Sequence, residues 1–315
     1  MLQTYKGTSL CLAGLEAREF ANTFIDMNVQ SVLASFFYLR RKFKRTKEYI
    51  REVKDQYQNF SYIFMDSGGY SLQQERRRGK LKISLKDYIK YYKDFALEMQ
   101  EHVTVFGAVD SIEKGYDYED YIEHLYDFKN SGIHIAPTVW IDTKWNLVKK
   151  YKLTEEFDLI GLSGARFGFN KLMNQYMKLK RAGVKIHGYA ATMEEHYTKL
   201  KFFSVDSISW LSAQRHGLTF EYRNGKIRTK SPYMKNETRR HLTGLYADEY
   251  NIDKIAVIQE NELRKRNQSV SQDIYDEINK LNLVAWVKLA DQLRHSGFRS
   301  YWHDSIINND YDYID

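Results

Sequence analysis

A carboxylate, two glycines and an aromatic ring, Asp66-Ser67-Gly68-Gly69-Tyr70, stand directly after the apolar run Tyr62-Ile63-Phe64-Met65. The run reads as a short buried strand, which puts the acid at a strand end. Glycine lets backbone approach a ligand closely, and the aromatic offers a flat face to a ring. Asp-Ser-Gly-Gly is also good turn chemistry, and taken alone the turn is the simpler reading. The pattern recurs, however. Ala108-Val109-Asp110, Gly161-Leu162-Ser163-Gly164, His187-Gly188-Tyr189-Ala190 and Val205-Asp206-Ser207 also fall at the ends of apolar runs. Any single aspartate reads as a structural cap. Three converging at strand ends repel one another when desolvated, which points to a site. Two carboxylates flanking a sugar carbon suit glycosyl chemistry, one attacking the anomeric carbon and the other managing protons. A third can accept hydrogen bonds from a base edge, and Tyr70 can stack on a flat ring.

These groups share one face only if the chain is wound as a barrel. Apolar, β-rich runs occur at Val29–Leu39, Tyr62–Met65, Val103–Val109, Ile133–Trp140, Leu159–Leu162, Lys185–Ala191 and Phe203–Ile208. Charged stretches with helical periodicity lie between most of them, at Ser84–Glu101, Tyr118–Asn130, Phe169–Ala182 and Met193–Phe203. Ser84 and Thr192 are candidate caps. About eight such units over roughly 220 residues predict an α/β fold, a closed (β/α)8 TIM barrel with a C-terminal helical extension. The eighth strand is assigned to Gly217–Tyr222. On this count Asp66 ends the second strand, Asp110 the third, Pro137-Thr138 the fourth, Gly161 to Gly164 the fifth, His187 to Ala190 the sixth and Asp206 the seventh. Residues 1–222 form the barrel. Residues 223–315 form a basic, loop-like segment (Arg223–His241), helices packing on the barrel over 242–296, and a frayed acidic end, Asn308–Asp315.

The 315-residue chain is 43% hydrophobic and 15% aromatic, ample for a core and unlike a disordered chain. Cys11 is the only cysteine, which excludes an intrachain disulfide and a cysteine-cluster metal site. No apolar run approaches the roughly 20 residues that span a bilayer, and no secretory signal opens the chain, so a cytoplasmic location is expected. His187 and His196 are too far apart in sequence for a local ligand pair, and neither a P-loop nor a dinucleotide-binding glycine fingerprint occurs. No metal or cofactor is expected. The net charge of +7 allows a polyanionic partner. The basic runs are Arg40-Arg41-Lys42-Phe43-Lys44-Arg45, Arg76-Arg77-Arg78-Gly79-Lys80, and Arg223–Arg240. A single run is ordinarily a solvated face, but the second follows the Asp66 motif directly. It is expected in a loop on the rim, holding phosphates.

The segment Phe64-Met65-Asp66-Ser67-Gly68-Gly69-Tyr70 resembles the Asp-Ser-Gly-Gly-aromatic signature of the tRNA-guanine transglycosylases, (β/α)8 enzymes that exchange guanine for a 7-deazaguanine. The resemblance spans roughly residues 60–217, with Ala108-Val109-Asp110, Ile160-Gly161-Leu162, His187-Gly188-Tyr189 and Ser204-Val205-Asp206-Ser207 following in family order. It implies that Asp206 is the nucleophile and Asp66 the general acid/base. It also implies that Asp110 reads the base edge with the backbone of Gly161 and Leu162, and that Tyr70 stacks on the base. Gly68, Gly69 and Tyr189 complete the implied base pocket. The family's zinc site of three cysteines and a histidine cannot be built from Cys11 alone. A base-recognition glutamine is replaced around Pro137-Thr138-Val139, and the Pro-Thr-Arg motif by Trp210-Leu211-Ser212-Ala213-Gln214-Arg215. With Ser204 to Trp210, these departures look like the branch, common in phages and mobile islands, that inserts 7-deazaguanines into DNA. Guanine in DNA is therefore the expected substrate, with a free 7-deazaguanine of preQ0 or preQ1 type entering and guanine leaving. A zinc-free enzyme acting on tRNA and a non-catalytic nucleic-acid-binding barrel are the alternatives. Chemistry on a base in duplex requires extruding that nucleotide. Arg76, Arg77, Arg78, Lys80 and Arg215 are the candidate nucleic-acid contacts, with Trp140, Trp145 and Trp210 as further rim candidates; for the three tryptophans and Arg215, simple packing is an equally good reading. A homodimer or a helper protein stays open.

Overall fold

The computed structural model describes residues 7–43, 47–110, 116–164, 168–211, 219–224, 226–230 and 272–295. Nine parallel strands form one sheet: β1 (Ser9–Ala13), β2 (Ser31–Ser35), β3 (Tyr62–Asp66), β4 (Val105–Gly107), β5 (Ile135–Ala136), β6 (Thr138–Trp140), β7 (Leu159–Ser163), β8 (Lys185–Gly188) and β9 (Ser204–Ser207). β5 and β6 are two halves of one stave, interrupted at Pro137, where the ring removes a ladder donor. The stave continues through the break because Gly161 N–H donates to the Pro137 carbonyl (2.8 Å). On the other side the Tyr121 hydroxyl accepts from Thr138 N–H at 2.7 Å. The sheet closes where β1 pairs with β9, Ser9 opposite Ser204 and Cys11 opposite Asp206. The result is a (β/α)8 TIM barrel of eight staves.

Most strands are apolar on both faces, as a sheet buried on both sides requires, whereas β8 and β9 carry His187, Ser204 and Asp206 among their apolar residues. Cys11, Ala13, Leu33, Tyr62, Phe64, Val105, Ala136 and Leu159 fill the interior. Their neighbours Leu10, Leu12, Val32, Ile63, Met65, Ile160 and Val205 face the helices. The helices begin where the local chemistry directs. Ser84 Oγ accepts from Asp87 N–H (3.0 Å) to cap the helix Leu85–Met99. Asp117 and Asp120 form a reciprocal capping box on the helix Tyr118–Asn130.

Three expectations are corrected. First, the first stave is Ser9–Ala13, so Asp66 ends the third strand and Asp206 the eighth stave. Second, the described part of Gly217–Tyr222, from Thr219 on, is no barrel strand. Thr219–Arg223 (β10) instead pairs antiparallel with Lys226–Lys230 (β11) as a hairpin, which also replaces part of the loop expected at Arg223–His241. Its alternation Thr-Phe-Glu-Tyr-Arg suits a strand with one wet face, not a barrel stave. Third, the last short helix is Glu194–Lys199 and Met193, not Thr192, precedes it, without a side-chain cap. Residues 231–271 and 296–315, including the acidic end, lie outside the described residues, and so does most of the 242–296 segment read as helical, of which 272–295 is described and is a helix.

The helix Gln272–His295 lies along β1 and closes the outer ring beside β9. Near its middle Asn282 accepts from Phe220 N–H (2.8 Å) and donates to the Trp210 carbonyl (3.2 Å), above the C-terminal ends of the strands. Near its end the Leu293 carbonyl accepts from Thr8 N–H, at the opposite end of β1. Leu283, Trp286, Leu289 and Leu293 are buried between these points. No described helix is long and apolar enough to cross a membrane.

Candidate active site at the strand C-terminal ends

Asp66, Asp110 and Asp206 come together at the barrel mouth, each half-buried, as the strand-end placement predicts. Asp66 ends β3, and the loop after it is fixed from two sides. Ser67 Oγ donates to the Ala108 carbonyl (2.9 Å), and the Tyr88 hydroxyl donates to the Ser67 carbonyl (2.6 Å). Tyr92, one turn along the same helix, donates to the carbonyls of Met65 and Gly107. Burial pushes the Asp66 carboxyl up to about 7; the charges of Asp110, Asp206 and Glu16 push the same way, against a hydrogen bond from Gly68 N–H. A carboxyl so placed exchanges a proton near neutrality.

Gly68 sits at φ 75°, the left-handed region, and a Cβ there would meet Phe37 Cβ at 2.3 Å. Gly69 opens the helix Gly69–Arg77 and abuts Asp110: an added Cβ would lie 2.3 Å from Asp110 Oδ1. The two glycines thus seat a helix N-terminus on the Asp110 carboxylate, a favourable placement for an anion. Burial nevertheless raises Asp110 to about 6, opposed by a bond from its own N–H.

Asp206, on β9, has a different environment. Its Oδ1 accepts from Ala190 N–H at 2.8 Å and lies 3.4 Å from His187 Nε2. Among the described residues, Oδ2 accepts no hydrogen bond. Ala190 holds φ +51°, a conformation non-glycine residues rarely adopt. That strain aims its N–H at the carboxylate.

Tyr189 fills the slot between these groups. Its ring lies edge-on to Phe64 (5.7 Å) and His187 (4.9 Å). Gly107 and Gly161 leave room for it: a Cβ on Gly161 would meet the Tyr189 ring at 2.4 Å, and one on Gly107 its hydroxyl at 2.9 Å. Leu162 is fully buried and its carbonyl accepts from Tyr189 N–H. Gly161 and Leu162 therefore shape the slot and hold Tyr189 across it.

The helix Leu85–Met99 starts level with Ser67, since Tyr88 reaches the Ser67 carbonyl. The segment 67–84 is thus an excursion above the rim. Tyr70 on it is 72% exposed, open to solvent rather than folded over the slot. Arg76 and Arg77 occupy the last turn of a helix and Arg78 its C-cap, rather than a loop. Arg77, Arg78 and Lys80 are exposed. Arg78 pairs with Glu75 at 3.4 Å. Of the two readings of Trp210 the structure takes packing over rim contact: it is 1% exposed, donates to the Ala13 carbonyl and packs edge-on to Phe20. Trp140 and Trp145 are half-buried. Arg215, Lys44 and Arg45 lie outside the described residues.

Two participants went unassigned in the sequence. Glu16, in the loop after β1, accepts from Ser35 N–H (3.4 Å) and adds to the negative field on Asp66. Locating β1 would have exposed it. His187 stands in a strand-end group and in the resemblance, but the sequence assigns it no role beyond that of a disfavoured metal ligand. Its place among inward-facing strand positions, level with Ser204 in the β8–β9 register, was the available signal.

No family model and no curated protein matches the chain. Among solved structures, it is similar to a tryptophan synthase complex from Pyrococcus furiosus (11% identity, 68% of this chain and 93% of that one, TM-score 0.45). It is also similar to the carboxyl transferase domain of pyruvate carboxylase from Rhizobium etli (13% identity, 95% and 55%, TM-score 0.45). These likenesses assign no chemistry to this chain.

Proposed function

We propose that this barrel is a base-exchange transglycosylase that replaces guanine in DNA with a 7-deazaguanine derivative. The observation that supports it best is the contrast between two carboxylates at one mouth. Asp66 is pushed up to about 7 by burial and neighbouring acids, while Asp206 is held by an N–H donor and faces a histidine. A pair of acids in such unlike settings divides into a proton carrier and a nucleophile.

In the first step Asp206 attacks C1′ of the target nucleotide. The C1′–N9 bond breaks, and protonated Asp66 gives its proton to the departing guanine. The products are an aspartyl-glycosyl ester, neutral guanine and ionised Asp66. In the second step the incoming 7-deazaguanine attacks C1′ with its N9, Asp66 recovers a proton from it, and the Asp206 ester bond breaks. Two displacements give retention at C1′. Asp110, beside the glycines, reads the base edge. The base enters where the Tyr189 ring rests, so that ring moves aside on binding. The exposed Arg77, Arg78 and Lys80 above the rim supply phosphate contacts without sequence readout.

The test is incubation with guanine-containing DNA and, separately, with tRNA, each with labelled guanine or 7-deazaguanine, for wild type and Asp206→Ala. Label entering DNA, and lost in the variant, is the expected result. Label entering tRNA alone moves the substrate to tRNA. Salt-sensitive DNA binding without label in either polymer leaves a binding barrel.

A further inference from the structure

We infer that His187 is a positioning residue for Asp206, acting through a hydrogen-bonded file that runs down the barrel interior. This rests on the reading of Asp206 as nucleophile. His187 is completely buried, and its ring stacks on Phe64 (3.9 Å between centroids, 11° between planes). Its Nδ1 lies 2.8 Å from Ser204 Oγ, and Ser204 Oγ lies 3.3 Å from the Tyr62 hydroxyl. Among the described residues its Nε2 has no hydrogen-bond partner, and it faces Asp206 Oδ1 at 3.4 Å. A polar nitrogen buried without a partner is uncommon, and here one short movement gives it one. Catalytic hydrogen bonds are often long in the empty enzyme and shorten when substrate binds.

The polarity of the file comes from its Asp206 end: a carboxylate only accepts, so an Nε2 that meets it carries the proton, Nδ1 then accepts from the Ser204 hydroxyl, and Ser204 accepts from the Tyr62 hydroxyl. Together with Ala190 N–H, the Nε2 proton fixes Oδ1 from two directions and leaves Oδ2 as the attacking atom. His187 touches neither sugar nor base, and no proton leaves it. Among the described residues, the charged and titratable groups around it are Asp206 on β9, Cys11 on β1, Tyr62 on β3 and Tyr189 just after its own strand.

Two measurements test this. The first is single-turnover guanine release in His187→Leu, His187→Gln and Ser204→Ala. Gln can place a donor near the Nε2 position and Leu cannot. The rate in His187→Leu falls about 100-fold and in His187→Gln less than about tenfold, with KM for DNA unchanged. Ser204→Ala, which frees the tautomer, falls between wild type and His187→Leu. Equal rates in the Leu and Gln variants, or a change confined to KM, overturn the inference. The second is the ring 15N shifts of His187, assigned by its loss in His187→Gln. They read the tautomer independently of activity or of the Leu variant's folding: a proton on Nε2 is expected, and one on Nδ1 overturns it. Persistent exchange in Asp206→Asn sinks the nucleophile assignment itself, while the tautomer still decides the His187–Asp206 pairing.

Discussion

The β3 and β9 corners of the barrel mouth carry the same side chain in opposite circumstances. At β3, Asp66 is crowded by Asp110, Asp206 and Glu16, and burial with this crowding favours its protonated form. Its loop is clamped by Ser67, Tyr88 and Tyr92, so the chain cannot relax to relieve the repulsion. At β9, Asp206 receives the Ala190 amide and faces His187, and the strain sits in the backbone of Ala190. The lesson is that the supporting contacts, rather than residue type, divide the labour between two aspartates.

The sharpest way to break the comparison is to remove the nucleophile. Asp206→Ala should abolish exchange, by about 10⁴-fold or more, with no glycosyl-protein adduct by mass spectrometry. Removing the proton carrier comes next. Asp66→Asn should slow guanine release about 10²- to 10⁴-fold. In the wild type, the same step should decline as pH rises past about 7, where Asp66 loses its proton. Stability runs the same way. The folded value lies above the ordinary 3.8, so stability is full below that value and is lost as pH climbs through about 7. Asp66→Asn escapes the loss and should melt about 2–4 °C higher than wild type at pH 8, by calorimetry. A smaller effect is expected from Gly69→Ala, whose methyl displaces Asp110. Chemical denaturation should show a cost of about 1–3 kcal/mol, and base discrimination should weaken. Least affected should be Arg77→Ala/Arg78→Ala/Lys80→Ala, with unchanged turnover at saturating DNA. Its log–log salt slope for DNA binding should be shallower by about 2–3.

The barrel was legible because strands buried on both faces appear as uninterrupted apolar runs, and because glycines and acids cluster at their ends. Tyr62–Asp66 and Leu159–Ser163 show this clearly. Ser9–Ala13 was missed because five residues near the N-terminus, two of them serine and alanine, carry little signal before closure with β9 is known. Thr219–Arg223 was taken in its place, although its alternation is that of a hairpin strand. The three aspartates were visible as strand-end acids. The self-filled slot was not, because it depends on Tyr189 crossing the mouth to meet Gly107 and Gly161, contacts between residues far apart in the chain. Trp210 was undecidable for a related reason: a tryptophan in a motif suits ligand contact or packing alike, and only the Ala13 carbonyl that satisfies its N–H inside the protein settles it as core.

The stave broken at Pro137 bears on how this protein comes apart. A closed sheet exposes no edges, so it offers no template for pairing with another chain. Here the closure passes through a residue with no N–H, and the next amide is satisfied by the phenol of Tyr121 instead of a neighbouring strand. A side chain swings free more readily than a ladder of backbone bonds, so the barrel should breathe first at Thr138. In hydrogen exchange, the Thr138 amide should outpace those of β7 and β9. Tyr121→Phe should widen that gap and hasten aggregation, since parting at this seam turns a ring into a ribbon with two open borders.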